Sequence, residues 1–527
     1  MGDRRGAGEL VRLVLRRDRV RVVVWTVSVV ALVAASAAAI AALFPTQALL
    51  DQAAVASAGD ASVIVFNGPP QGLDTIGGEV AFQSGSAVLV AVALMSLLAV
   101  VRSTRAEEES GRAELVRAAR VGRHAAGAAV GIVVAVWNAV IGALVASVLI
   151  LQGLPVAGSL CFGASCLAIG VFFGSVAMVT AQVTQSSRVA SGLAGVVLGV
   201  AFALRAAGDV GDGRLSWLSP IGWSQKTRPF AGEQWWPLLV PLVLTAVLLA
   251  VARRLADRRD LGAGLIPTRP GPPVASPALR RSWGLAARLE RATLTSWTAG
   301  MFLVGVGFGS VANAVGGFVG DNSSLRAILA QSAGRSLVDS YLGTALLLMA
   351  IIASGCAVQS TARLRAEETT GHAEAVLASR LSRVRWMNAH LMVAVLGSAL
   401  VLVAAGLGTA IPYAVITHDA GQLPRLLGDA LIYLPAECVT VGITATLFGL
   451  IPRATAAAWV AVGAFFIVGF FGQLLKLPNW AMDLSPFHHT PQAPAVAISV
   501  SPLLGIITVA IALLAAGLLG FRHRDLT

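Results

Sequence analysis

The sequence predicts an all-α polytopic membrane protein of about twelve transmembrane helices, and three observations carry that expectation. The 527 residues are 56% hydrophobic and only 13% charged, which is more apolar surface than a soluble core can hide and suits burial in a bilayer. Apolar stretches of roughly 20 residues, the length that crosses the hydrocarbon core, recur about twelve times along the chain. The net charge of +12 comes from arginines gathered in short stretches between those runs. That arrangement follows the positive-inside rule and requires no nucleic-acid partner.

In order, the first six runs fall near 21–44, 83–102, 124–150, 157–182, 188–206 and 236–253. The second six fall near 295–319, 338–360, 387–416, 427–451, 454–474 and 496–520. The first run is too long for a signal-peptide core and no small-residue cleavage site follows it, so it reads as a retained span. Charge then orients the spans. Arg4, Arg5, Arg12, Arg16, Arg17, Arg19 and Arg21 place the amino terminus in the cytoplasm. The 45–82 loop has no Lys or Arg but holds Asp51, Asp60, Asp74 and Glu79, and belongs outside. The 102–123 segment, the connector from Arg253 to Arg291 and the tail Arg522-His523-Arg524 return to the cytoplasm, so both termini are expected there. Only Lys226 and Lys476 are lysines; with the abundant Ala, Val and Gly this suggests a GC-rich bacterial source and a bacterial cytoplasmic membrane. Cys161, Cys166, Cys356 and Cys438 all lie inside apolar runs without paired spacing, which reads as packing.

The chain also repeats itself. Arg105-Ala106-Glu107-Glu108 recurs as Arg365-Ala366-Glu367-Glu368, and Gly111, Ala113 and Glu114 recur as Gly371, Ala373 and Glu374, all at an offset of 260 residues. Leu218-Ser219-Pro220 matches Leu484-Ser485-Pro486, and Arg259-Asp260-Leu261 matches Arg524-Asp525-Leu526. Two six-span pseudo-repeats are therefore expected, 1–260 and 284–527, joined by a Pro/Gly/Arg-rich cytoplasmic linker at 261–283 that holds Pro267, Pro270, Pro272, Pro273 and Pro277. An even span count makes the repeats parallel, with a pseudo-twofold axis along the membrane normal.

Each repeated acidic segment directly follows an apolar run. In 105–123, Glu107, Glu108, Glu109 and Glu114 alternate with Arg105, Arg112, Arg117, Arg120 and Arg123, and no proline interrupts. A short surface helix continuing the second span is expected, and 365–383 has a similar design. A solvated loop whose arginines only set topology is the plainer reading for one copy. Two copies with intact Arg-Ala-Glu-Glu cores favour a docking handle for a soluble partner. Upstream, residues 8–21 place Leu10, Leu13 and Val14 on one helical face among arginines, and 284–297 does the same with Leu285, Leu289 and Ala292. Both suit interfacial helices against lipid headgroups, and equally a second contact surface for a docking partner.

Taken together, these features resemble the permease of type-2 ATP-binding-cassette exporters: an interfacial helix, six spans, an Arg/Glu-rich helix after the second span and a re-entrant-looking stretch before the sixth. The fused twelve-span form is similar to actinobacterial antibiotic-exporter permeases of the tetronasin-resistance type. The resemblance implies that the helix after the second span is a coupling helix. Arg105, Glu107, Glu108, Glu114, Arg365, Glu367, Glu368 and Glu374 would then contact two ATPase subunits. Thr369 stands where the first copy has Glu109, so the two docking sites need not be equivalent. The chain has no G-x-x-x-x-G-K-[ST]; Lys226-Thr227 follows Gln225. ATP and magnesium are accordingly expected on partner subunits, and this chain is expected to hold no cofactor and to catalyse nothing itself.

The resemblance further implies that the second and fifth spans of each half line the substrate path. Met95, Tyr341, Met349, Phe465, Phe466, Phe470 and Phe471 fall there, an apolar and aromatic set suited to small hydrophobic or amphiphilic compounds. Ordinary packing explains each of them singly. Glu437, in Pro435-Ala436-Glu437-Cys438, is a carboxylate deep in an expected span and therefore a functional candidate. It would bind a cationic compound or a proton, pair with an arginine such as Arg205, or lie nearer a helix end than the apolar run suggests. The first rival class is a proton-coupled secondary efflux carrier using Glu437; the second, a membrane enzyme or assembly scaffold, would want a catalytic cluster or a sizeable soluble domain, and the sequence shows neither. His488-His489 with Asp483 lacks a supporting ligand cluster, and no metal site is expected.

Overall fold

The computed structural model describes residues 7–58, 61–118, 121–260, 262–266, 273–320, 337–471 and 478–525. Among them all regular structure is helical, and twelve helices are long and apolar enough to cross a membrane. The protein is a polytopic membrane protein. It divides into two compact units, Met1–Gly271 and Pro272–Thr527, with six of those helices in each. The boundary falls inside the expected connector, of which Leu261, Pro267, Arg269, Pro270 and Pro272 lie outside the described residues. Arg4, Arg5, Arg120, Lys476 and Leu526 lie outside them as well.

In the first unit α1 is Ala7–Leu43, followed by two short helices, α2 (Gln47–Ala58) and α3 (Ala61–Asn67). The second span, α4 (Ile76–Ser103), leads into α5 (Arg105–Glu109) and α6 (Arg112–Ala118). Then come α7 (Ala125–Leu151), α8 (Val156–Val183), α9 (Ser187–Val210), the short α10 (Pro220–Gln225) and α11 (Leu239–Asp257). The expected interfacial stretch 8–21 is not a separate element: nothing between Gly8 and Phe44 breaks the helix, so it forms the first turns of α1. Val20, Val23, Val24 and Val27 of α1 are each more than half exposed, apolar surface that only lipid covers without cost.

Small residues let these helices close on one another. Gly142 of α7 and Gly163 of α8 face each other so closely that a Cβ on Gly163 would lie 2.3 Å from the Gly142 carbonyl oxygen. One polar pair crosses the core: Asn138 Nδ2 donates to Ser96 Oγ at 2.9 Å and to the Val134 carbonyl at 2.8 Å. Around it Val92, Ile141, Ile169 and Phe173 are fully buried.

In the second unit α12 is Ser282–Gly320 and α13 is Leu337–Thr369, followed by α14 (His372–Leu377) and α15 (Arg383–Thr417). Residues 284–297 again belong to the long first helix and are not a separate one. The expected fourth span, 427–451, is interrupted. It consists of α16 (Gln422–Leu431) and α17 (Leu434–Leu450), with the break at Ile432 and Tyr433. Pro435 accounts for the break, because its ring clashes with the carbonyl one turn back and it has no N–H to donate. A six-residue 3₁₀ segment, Pro452–Ala457, opens α18 (Ala458–Phe471), and α19 (Asn479–Met482) precedes α20 (Val500–His523). Leu346, Met349, Val401, Tyr433 and Phe487 form one core; Leu364, Ala373, Trp386, Phe448 and Phe521 form another near the end of α13.

The Gly142–Gly163 contact generates a direct test. Gly163→Val places side-chain atoms where the Gly142 backbone stands, and overpacking of this kind costs about 1–3 kcal/mol. Thermal unfolding in detergent is expected to fall for Gly163→Val and to stay unchanged for Gly192→Val, where an added Cβ meets nothing.

Candidate functional site

The repeated acidic segments form arms that leave the second span of each unit. In the first, Thr104 leaves helical geometry at φ −119° and ψ −81°, its hydroxyl donating to the Val100 carbonyl at 2.7 Å. α5 follows and ends on Ser110 and Gly111. Gly111 has φ +73°, a left-handed conformation that glycine adopts without strain, and α6 starts directly after it. The second arm repeats this with Gly371 at φ +76° between α13 and α14. The repeated glycine is thus the residue that turns each arm back.

The second glutamate of each repeat is internal to the arm. Glu108 accepts two bonds from Arg259, Oε1 from Nη2 and Oε2 from Nη1, both at 2.8 Å. Glu368 is held in the same bidentate way by Arg524, at 2.7 and 2.9 Å. Each arm is therefore clamped to the chain just beyond its own sixth span, by the very arginines of the repeated Arg-Asp-Leu motif. Arg105 is fully buried and donates to the carbonyls of Gln185 at 2.9 Å, Ala263 at 3.0 Å and Gly262 at 2.7 Å, as well as to Glu108. It ties the start of the connector beneath α5. Ile266 N–H continues the attachment by bonding the Val183 carbonyl at 3.0 Å. In the second unit Arg365 bonds Glu368 at 3.1 Å, and the Arg524 guanidinium lies over the rings of Phe448 and Phe521, 4.9 and 5.2 Å from their centroids.

The first glutamates are also paired. Glu107 bridges Arg17 of α1 at 2.7 Å and Arg112 at 3.1 Å, and Glu367 bridges Arg363 at 2.8 Å and His372 at 3.4 Å. Glu109 caps the fifth span, accepting from the Ser187 backbone N–H at 2.9 Å and from its hydroxyl at the first turn of α9. Thr369, which replaces it, only bonds back to carbonyls of its own helix. What the arms leave exposed is different: Ser110, Arg112, Glu114 and Leu115 in the first, Thr370, His372, Glu374 and Ala375 in the second. Among the described residues neither Glu114 nor Glu374 has an ion-pair partner.

Two acids that sequence reasoning missed brace the arms from the first span. Asp18 of α1 is buried and meets Arg102 at 3.3 Å and Arg21 at 3.1 Å, with the Ser103 hydroxyl at 3.3 Å. Glu290 of α12 is buried beside Ser360, Thr293 and Arg363. Both sit inside arginine-rich stretches, which hid them as interface decoration. Next to the first arm lies a cavity of about 490 Å³, whose walls include Leu13, Arg17, Ile132, Met178, Leu249 and Arg253.

The expected substrate-path residues divide between the units. Met95 belongs to the core of the first, and Met349 and Phe465 to the core of the second. Tyr341 is half-buried and donates to the Phe308 carbonyl at 3.3 Å, and Phe466 is 39% exposed. The side chains of Phe470 and Phe471 lie outside the described residues. Glu437 is fully buried in the first turn of α17, with neither carboxyl oxygen hydrogen-bonded. Arg205 is engaged elsewhere, donating to the Val65 carbonyl at 2.8 Å and pairing with Asp209 at 3.6 Å. His488 and His489 stand 4.0 and 3.9 Å from Asp483, and among the described residues no group of three or more potential ligands could hold a metal ion.

Comparison with known proteins places these features in a family. Residues 279–522 match the family model described as "Multidrug efflux system permease Rv1217c, C-terminal domain". Over 522 residues the chain is 39% identical to the multidrug efflux system permease protein Rv1217c of Mycobacterium tuberculosis, covering 98% of this chain and 94% of the relative.

The clamps are testable through stability. Removing one partner of a buried ion pair costs about 3–5 kcal/mol, because the other charge is stranded. Arg524→Ala and Glu368→Ala are each expected to lower the unfolding midpoint strongly. The double variant is expected to cost much less than their sum, and additive losses in the thermal-melt cycle would contradict the clamp.

Proposed function

Because the chain belongs to the family of multidrug efflux permeases, we propose that it is the membrane subunit of an ATP-driven exporter of the type-2 ATP-binding-cassette class, similar to the tetronasin-resistance permeases. In this reading two separate ATPase subunits bind ATP and magnesium, and each docks on one arm. Hydrolysis moves the permease between inward-open and outward-open states, carrying small hydrophobic or amphiphilic compounds out through the cytoplasmic membrane by alternating access. Both termini and both arms face the cytoplasm, as the arginine distribution asks. The chain contributes a conduit with different affinities in its two states and no catalytic chemistry of its own.

The observation that carries the proposal is the paired construction of the arms. Each presents a short helix after a glycine turn, and each is tied back to the last span of its own unit by a bidentate Glu–Arg clamp. Such an arm transmits a push at its tip to the sixth span, whereas a loop that only set topology would need no internal bracing. Contact with the ATPase then falls to exposed groups around Glu114 and Glu374. Glu107, Glu108, Glu367 and Glu368 hold the arm in shape, with Arg105 and Arg365 beside them. The two contacts are not identical, because the Glu109 cap on α9 has no counterpart at Thr369.

Purification of the tagged chain from its native host in mild detergent, with ATPase activity assayed in the eluate, tests this. The wild type is expected to bring down a stoichiometric ATPase. Glu114→Ala/Glu374→Ala is expected to weaken that association about tenfold, ~1.4 kcal/mol. Surface changes of this kind leave stability within about 0.5 kcal/mol. A chain that purifies alone and still exports would refute the proposal.

A further inference from the structure

A buried polar group without a partner is rare in a native protein, and each one requires an explanation. Several of them lie in the second unit. Glu437 has both carboxyl oxygens unpaired, and Tyr433 Oη, Asp429 Oδ2, Ser398 Oγ and one oxygen of Glu290 are likewise buried without a hydrogen bond. The first unit resolves the corresponding region differently. Ser96 and Asn138, at the 260-residue offset from Cys356 and Ser398, hydrogen-bond each other, and the fourth span α8 contains no acid.

The unpaired groups form a file. Asp429, Tyr433 and Glu437 follow at one-turn spacing across the α16–α17 break. Toward one end, Asp429 lies within electrostatic reach of Arg425, which pairs with Asp339 at 2.6 Å near the start of α13. Toward the other, Glu437 lies within electrostatic reach of Cys356 of α13, whose sulfur lies 4.0 Å from Ser360 Oγ. Ser360 adjoins Glu290 of α12, which faces Arg363; Arg363 bonds Glu367 at 2.8 Å near the end of α13. His390 of α15, its Nδ1 unpaired, lies within electrostatic reach of that same Arg363–Glu367 pair. Of the other elements packed on α17, α18 has no ionisable group, α20 has none before Arg522, and the 3₁₀ segment Pro452–Ala457 carries only the exposed Arg453.

We propose that Glu437 is a proton-binding site inside the second unit, reached through this polar file and closed at each end by an arginine–carboxylate pair, Arg425–Asp339 and Arg363–Glu367. A hard cation takes about six or more oxygen ligands, and one carboxyl group beside a phenol and a thiol supplies too few. A proton needs a single oxygen, and interrupted helices are where membrane proteins expose such groups to water. The capping guanidinium groups repel an excess proton, so the site binds and releases without leaking across the bilayer. The inference is independent of what powers export, since a proton site inside an ATP-driven permease gives its cycle a pH dependence and does not replace the ATPase.

Infrared difference spectroscopy of the full-length chain reconstituted in lipid, between acid and alkaline buffer, reads the site without any transport assay. The wild type is expected to show a titrating carboxylic-acid C=O band that shifts in D2O and is absent from Glu437→Gln. Glu437→Asp is expected to move the band in frequency, which preserves the assignment if Glu437→Gln does not assemble. Tyr433→Phe is expected to slow deuterium exchange several-fold. A carboxylic-acid region identical in wild type and both Glu437 variants would overturn the proposal, as would a Glu437 band that never exchanges.

Discussion

A carboxylate held by both nitrogens of an arginine fork, away from water, is the contact on which each half of this permease depends. The bidentate geometry fixes direction as well as distance, which a lysine or a solvent-exposed pair does not do. Magnitudes separate these clamps from the other ion pairs around them. An exposed pair such as Arg112–Glu107 is worth about 0–1 kcal/mol, whereas stranding one partner of a buried pair costs several times more. The arms are therefore rigid at the root and free at the tip. Their shape is set by Glu108 with Arg259 and by Glu368 with Arg524, and their outward chemistry is left to the short helix beyond the glycine turn.

The two halves use this plan with different supporting groups. In the first, Arg259 also bonds Gln182 at 2.7 Å, and Arg105 anchors the connector carbonyls, so the clamp is embedded in a polar network. In the second, Arg524 lies over Phe448 and Phe521, an apolar and aromatic setting. The interiors differ in the same sense. At the position where Ser96 and Asn138 pair across the first half, the second has Cys356 and an unpaired Ser398, and its fourth span leaves Glu437 and Tyr433 open. A duplicated chain has thus kept one mechanical device and separated two interiors.

Much of this architecture is legible in the sequence. Hydropathy located all twelve spans, but charged, amphipathic turns extend some helices well past the apolar runs, as where α1 begins at Ala7, α12 at Ser282 and α13 ends at Thr369. The repeats were visible too, but sequence spacing does not say that Glu108 and Arg259 meet across 151 residues. Charge alone marks the glutamates as outward handles, and the inward pairing of Glu108 and Glu368 comes only with the packing of the spans behind them. Asp18 and Glu290 were hidden for the reverse reason: inside arginine-rich stretches an acid looks like local charge balance. Pro435 stood in plain view, yet an apolar run through it read as one span, because hydropathy is blind to a backbone break.

Transport into inside-out membrane vesicles, with the chain and its ATPase present, tests the central claim most directly. The account predicts uptake of a hydrophobic dye that requires hydrolysable ATP and survives collapse of the proton gradient by an ionophore. Uptake that needs the gradient and ignores ATP would contradict it.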